Sequence, residues 1–310
     1  TVVFLGHDDY HNDFSNTIVE PLHTPHLVTE FNGHMFPTKT FDQEERQVEH
    51  ALRHTRIQNA QMGMSNVTGA IGWCAFDYNT HLNFGSGDRI CYHGVMDMFR
   101  LPKFAAYLYA SQGVSEPYLR AATFWTPGDR SVGGNDPLYV FTNCDEVEVF
   151  VGTESHGRFQ PDRDQFPHLK HPPVQVTGLS GVVVWGIHFQ DLHIVGYKDG
   201  QPAAEQRIST DGVPKHLTLT SDDSQLHADG ADMTRLVFKI TDTYGNRLPY
   251  AFAVISFEID GPGELVGDLP FPLVGGQGAV YLKATRQAGE VTVRASTPRL
   301  PPAEIRVTIG

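Results

Sequence analysis

Apolar residues in the first hundred positions come in short runs that end abruptly in polar turns. Residues 1–6 form one such run and stop at the His7-Asp8-Asp9-Tyr10-His11 loop; residues 26–31 form a second and stop at Asn32-Gly33-His34. Runs this short and this apolar predict buried strands. Over residues 42–62 the spacing changes. Val48, Ala51, Leu52, Thr55 and Met62 recur at helical intervals, Asp42 and Glu45 stand three apart as in a capping box, and Gly63 supplies a stop. Residues 67–73 predict a third strand and residues 102–109 a second helix. Strand, helix, strand, helix in order implies parallel βα units.

After about residue 112 the pattern becomes β-rich, with turns at Gly, Pro, Asn and Asp. Residues 119–125, 138–142, 147–151, 182–187 and 192–197 predict the strands of one sandwich, with Asp199-Gly200 as a hairpin turn. A second set follows at 216–220, 235–241, 252–259, 278–284, 290–295 and 304–309. Short strands at this regular spacing predict two immunoglobulin-like sandwiches in series, divided near residues 209–213.

Composition narrows the picture by exclusion. With 40% hydrophobic and 11% aromatic residues in 310, the chain has ample material for packed cores. A net charge of -13 argues against nucleic acid, which is bound by clustered Lys and Arg. Neutral ligands such as sugars are compatible with it. The three cysteines, Cys74, Cys91 and Cys144, lie far apart with no CxxC pair, so reduced thiols are expected and neither a disulfide framework nor a metal site is. His7 and His11 flank two aspartates without a recognised ligand spacing. No apolar run reaches the ~18 residues that span a bilayer, so no membrane partner is expected.

Three blocks, in order, resemble glycoside hydrolase family 2, the family of β-galactosidases and β-glucuronidases. Thr29-Glu30-Phe31-Asn32-Gly33-His34-Met35-Phe36-Pro37-Thr38-Lys39 is similar to the seventh barrel strand and its loop. Gly69-Ala70-Ile71-Gly72-Trp73-Cys74-Ala75-Phe76-Asp77-Tyr78, running on to Tyr92-His93-Gly94 and Leu101-Pro102-Lys103, resembles the eighth strand and the segment before the last barrel helix. Phe141-Thr142-Asn143-Cys144-Asp145-Glu146-Val147 resembles part of the sandwich that follows. The tail, with Ala228-Asp229-Gly230 and Val274-Gly275-Gly276, resembles the immunoglobulin-like end of many bacterial members. The resemblance implies a mixed fold: the last strands and helices of a (β/α) barrel over residues 1–112, then two all-β immunoglobulin-like sandwiches over 113–210 and 211–310.

It also implies a retaining exo-glycosidase that hydrolyses terminal β-D-galactosides through a covalent glycosyl-enzyme intermediate, without a cofactor, with Glu30 as nucleophile. Such enzymes hold a second carboxylate about 5–5.5 Å away as acid/base. In the family that residue follows an Asn, and no Asn-Glu pair occurs in these residues. A whole barrel takes about 250 residues, and here there is room for about three of its eight units. The expectation is therefore a carboxyl-terminal portion, inactive alone, whose partners are the β-galactoside, the missing amino-terminal part and, as a homo-oligomer, a second copy. The compartment is left open with a lean to the bacterial cytoplasm, because the region that would carry a leader is absent.

Beside Glu30, the resemblance implies substrate binding by Trp73, as an aromatic floor under the pyranose, and by His34, Asp77 and Tyr78 through hydrogen bonds. For the last three a loop-stabilising network is an equal alternative. Two rival functions stay open: another family 2 activity such as β-glucuronidase, and a non-catalytic carbohydrate-binding or assembly module presenting Phe124, Trp125 and Tyr139. Trp125 and Trp185 also read as sandwich core.

Overall fold

The computed structural model describes residues 25–32, 36–81, 87–126, 136–179 and 190–310. The expected first strand, the His7–His11 loop, His34, Trp185 and the strand expected at 182–187 lie outside the described residues. The chain divides into two compact units, residues 1–210 and 211–310.

The first unit begins with β1 (His26–Phe31), α1 (Glu44–Met62) and β2 (Val67–Gly72), followed by the short β3 (Tyr78–Asn79) and β4 (Ile90–Cys91) and by α2 (Phe104–Gly113). β1 and β2 pair in parallel, Leu27 opposite Gly69 and Phe31 opposite Gly72, with α1 as their connection. Val28, Phe31, Ile57 and Val67 form the core between this strand pair and the helix. Leu27 and Ile71 are left exposed, at 44% and 54%.

α1 departs from the sequence expectation in two ways. The cap position falls on Gln43, not Asp42. The helix starts at Glu44 behind Gln43, whose side chain makes no cap bond, and the Asp42 carboxylate turns back to accept the Lys39 amide at 2.7 Å. Met62 is exposed, and the buried face carries Gln47, His50, Ala51, His54, Thr55 and Ile57. Several of these polar groups are accommodated by specific bonds: His54 Nδ1 lies 2.8 Å from the Tyr109 hydroxyl, Gln47 donates to Asp42 O, and Thr55 donates to Ala51 O. α2 also runs past residue 109, to Gly113.

The rest of this unit is β5 (Leu119–Ala121), β6 (Leu138–Thr142), β7 (Glu146–Val151), β8 (Glu154–Phe159), β9 (Val174–Val176), β10 (Leu192–Lys198) and β11 (Gln201–Ile208). They form a three-stranded sheet, β5-β6-β9, and a four-stranded sheet, β11-β10-β7-β8. Val147, Val149 and Val151 alternate inward along β7 and meet Leu138, Val140, Leu192 and Ile194 in a shared core. β6 is buried on both faces, as a central strand with cover on each side must be. Leu138 and Val140 join the sandwich core, while Tyr139 and Phe141 pack with Phe104, Ala105 and Leu108 of α2. That double use of one sheet unites helices and sandwich in a single unit.

The strand expected over 119–125 stops at Ala121. Trp125 takes a left-handed φ of 52° and donates its indole N–H to Gln190 O at 2.8 Å, only 2% exposed. Phe124 and Tyr139 are each 9% exposed. These three aromatics are core, which corrects the expectation of a sugar-binding platform on this face.

Glu44 ties α1 to the segment after β5. Its Oε2 accepts the Phe124 amide at 2.7 Å, and burial pushes its carboxyl up to about 7 despite that bond. A raised carboxyl pKa means that the folded state holds the proton more tightly than the unfolded chain. The associated stability is complete below the unfolded value near 4.5 and is lost as pH rises through about 7. Glu44→Gln keeps the acceptor and removes the titration. Denaturant unfolding should find it up to about 3 kcal/mol more stable than the parent at pH 8 and equal to it at pH 4.

The second unit comprises β12 (His216–Ser221), β13 (Gln225–Leu226), β14 (Met233–Thr241), β15 (Ala253–Asp260), β16 (Gly263–Val266), β17 (Phe271–Leu273), β18 (Gln277–Ala284), β19 (Gly289–Ser296) and β20 (Ala303–Ile309). A four-stranded sheet, β12-β14-β18-β16, packs on a five-stranded sheet, β13-β20-β19-β15-β17. Phe238 on the first bridges to the second through edge contacts with Phe257 and Phe271, centroids 5.2 and 4.9 Å away.

Candidate active site

Because β1 and β2 run in parallel, their carboxyl ends emerge at the same edge, where α/β folds place ligands. Phe31 is turned toward α1, its ring 5.4 Å from His54, and its carbonyl accepts the Trp73 amide at 2.7 Å. Glu30, one residue back, is half-buried beside this junction. Asn32, directly after the strand, takes a left-handed φ of 57°. Glu30 and Trp73 thus stand at neighbouring strand tips.

Trp73 is 37% exposed, and the Tyr78 ring meets it edge-on, 6.0 Å between centroids at 76°. The Trp73–Cys74 peptide is cis. Burial pushes the Cys74 thiol up to about 12, so it stays protonated, and it donates to Phe76 O. An exposed indole edged by a phenol offers an apolar face beside a hydroxyl, which is the pairing a pyranose ring presents in return.

Asp77 has a different setting. It is 5% exposed, and its Oδ1 accepts both the Gly94 amide at 2.9 Å and the Lys103 ammonium at 2.7 Å. Lys103, 1% exposed, also donates to Thr38 O at 2.6 Å and reaches Tyr92 O at 3.5 Å. One cation therefore joins the segment after β1, the segment after β2 and the segment after β4. Burial raises the Asp77 carboxyl to about 6 and lowers Lys103, each against the attraction of the other. Gly94 is required here, since a Cβ would lie 2.2 Å from the Asp77 amide nitrogen.

The loop after β1 is fastened to α1 as well. Arg46 and Arg53 lie 4.2 and 3.9 Å from the centre of the Phe36 ring, and Arg46 donates to Pro37 O at 2.6 Å. Beneath it, burial lowers His54 to about 3 and His50 well below its ordinary range, so both are neutral. Of the expected site residues, Glu30, Trp73 and Tyr78 gather at this edge, Asp77 lies in the interior under it, and His34 is outside the described residues. Lys103 and Gly94 were not singled out in the sequence. A lysine wedged between Leu101 and Phe104 was the available signal. Among the described residues no three His, Cys, Asp or Glu stand as a metal-binding group, and no helix is long and apolar enough to cross a membrane.

Residues 217–306 match the family described as glycoside hydrolase family 2 C-terminal domain 5, and residues 133–204 match a domain family of unknown function. A β-galactosidase of Thermoanaerobacterium thermosulfurigenes is 50% identical over 260 residues, 81% of this chain and 36% of that protein. A β-galactosidase of Thermoanaerobacter pseudethanolicus is 42% identical over 301 residues, 94% of this chain and 40% of that protein. The chain thus spans 36–40% of the length of these curated relatives. In fold it is similar to the crystal structure of a β-glycosidase from Bacteroides vulgatus, with a TM-score of 0.69 at 19% identity over 91% of this chain and 41% of that one.

Proposed function

The chain belongs to glycoside hydrolase family 2, and on that premise we propose that it carries the nucleophile of a retaining β-galactosidase. The observation that carries this reading is the pairing of Glu30 with an exposed Trp73 at adjacent parallel strand tips. In this reading the Glu30 carboxylate attacks the anomeric carbon of a terminal β-galactoside as the bond to the leaving oxygen breaks. A second carboxylic acid gives that oxygen its proton. As the conjugate base, it then takes a proton from the water that frees the sugar. That acid belongs to a part of the enzyme outside these residues, and the 310 residues alone do not turn over substrate.

Trp73 lies under the sugar ring, with Tyr78 and His34 as hydrogen-bonding groups at its hydroxyls. Asp77 acts through the loop it anchors. Residues 1–112 are the end of a (β/α) barrel, 113–210 the sandwich after it and 211–310 an immunoglobulin-like tail; the exposed Leu27 and Ile71 support a barrel whose other strands cover that face. Galactoside is favoured over glucuronide because both of these relatives are β-galactosidases. Engagement of the nearby Lys103 by Asp77, away from any substrate carboxylate, favours it too. The test is hydrolysis of p-nitrophenyl β-galactoside and β-glucuronide. The isolated chain should be silent on both, and co-expression with the amino-terminal part of the enzyme should restore galactoside hydrolysis. Turnover by the chain alone, or preference for the glucuronide, contradicts the reading.

A further inference from the structure

We propose that a polar cleft in the first sandwich binds a neutral saccharide, at a site separate from the Glu30–Trp73 edge. The cleft has a volume of about 670 Å³, in the size range of enclosed small-ligand sites. Its walls mix acceptors, Asp145, Asp162 and Asp164, with donors, Arg163 and Lys170. A sugar hydroxyl donates one hydrogen bond and accepts others, so neighbouring hydroxyls are matched by carboxylates and cations set side by side. Three carboxylates against two cations disfavour an anion, and the alternation of acceptors with donors matches the hydroxyls of a neutral sugar. Among the described residues no Phe, Tyr or Trp lines the cleft, so recognition there falls to hydrogen bonds.

Those groups retain bonding capacity. Among the described residues, neither the Asp164 carboxylate nor the Lys170 ammonium has a hydrogen bond or ion pair in the structure. Asp145 uses one oxygen on the Asp199 amide at 2.8 Å, and Asp162 one on the Gln165 amide at 2.9 Å, leaving a second oxygen on each. His171, also in the wall, is held below its ordinary pKa by burial and by Lys170, Lys198 and Arg163; a neutral imidazole both donates and accepts.

The cleft is built before any ligand arrives. The segment between β8 and β9 is pinned by Phe166 and Leu169, 1% and 2% exposed. The Gln112 side chain donates to His171 O at 2.6 Å and accepts its amide at 3.0 Å, and Asn59 accepts the His168 amide at 2.9 Å. A wall fixed in this way lowers the ordering cost of binding.

Titration of the 310-residue chain with lactose, read by NMR shifts or calorimetry, tests the proposal. Binding with a Kd of order 1 mM is expected. The exposed double substitution Asp164→Ala with Lys170→Ala should weaken it at least about tenfold with Tm unchanged, whereas Trp73→Ala should leave it intact. No binding up to ~50 mM, loss on Trp73→Ala with retention in the double variant, or tighter binding of galacturonate than of lactose would overturn it.

Discussion

In a full-length enzyme that contains this chain, Glu30→Gln is expected to lower kcat by about 10⁴-fold, near 5.5 kcal/mol of barrier, with little change in substrate binding. The substitution keeps the shape at the strand tip and removes the carboxylate oxygen that, in the proposed mechanism, bonds to the sugar. Among the described residues the Glu30 side chain makes no hydrogen bond or ion pair, so none of their contacts is broken. Binding and folding should therefore survive, and the effect should fall on the chemical step. Steady-state kinetics on an aryl β-galactoside, alongside Tm of both proteins, separates the outcomes. A variant with kcat within tenfold of the parent would remove Glu30 from the mechanism.

The largest effect on stability is expected from Lys103→Met. The Lys103–Asp77 pair sits at 2.7 Å with side chains 0% and 2% exposed. Removing one partner of a buried ion pair leaves the other charge without compensation and costs about 3–5 kcal/mol. The same cation also holds Thr38 O, so the loops after β1 and β2 should loosen together. Urea unfolding of the chain should show the loss in midpoint. Adding Asp77→Asn, which removes the stranded charge, should recover part of it. A loss below about 1 kcal/mol for the single variant, as for a surface pair, would deny the staple its structural role.

Much of this could be read along the chain because local patterns and buried faces agree. β1, β6 and β10 carry unbroken or alternating apolar runs and begin where those runs begin. β8, with the sequence Glu-Ser-His-Gly-Arg-Phe and no buried position, and β11, mostly exposed, offered no such signal. Each is held by backbone pairing to a stronger neighbour, β7 and β10. The inner face of α1 was hidden for a related reason: it is lined by His50, His54 and Gln47, polar types whose burial depends on partners far along the chain, such as Tyr109. At the candidate site, the places of Glu30 and Trp73 by the ends of β1 and β2 were legible, because the apolar runs stop there. The bond between Asp77 and Lys103 was not, since nothing local links residues 26 apart. Both sit in the quoted motifs, and only the fold makes them a pair.

A 2-deoxy-2-fluoro-β-galactosyl fluoride would slow both glycosylation and release, trapping any covalent intermediate for peptide mass mapping in the complete enzyme. The account predicts one added fluorogalactosyl group, carried by the peptide that contains Glu30 and located on that side chain. A label on a different carboxylate, or hydrolysis of a β-galactoside with inversion at the anomeric carbon, would contradict it.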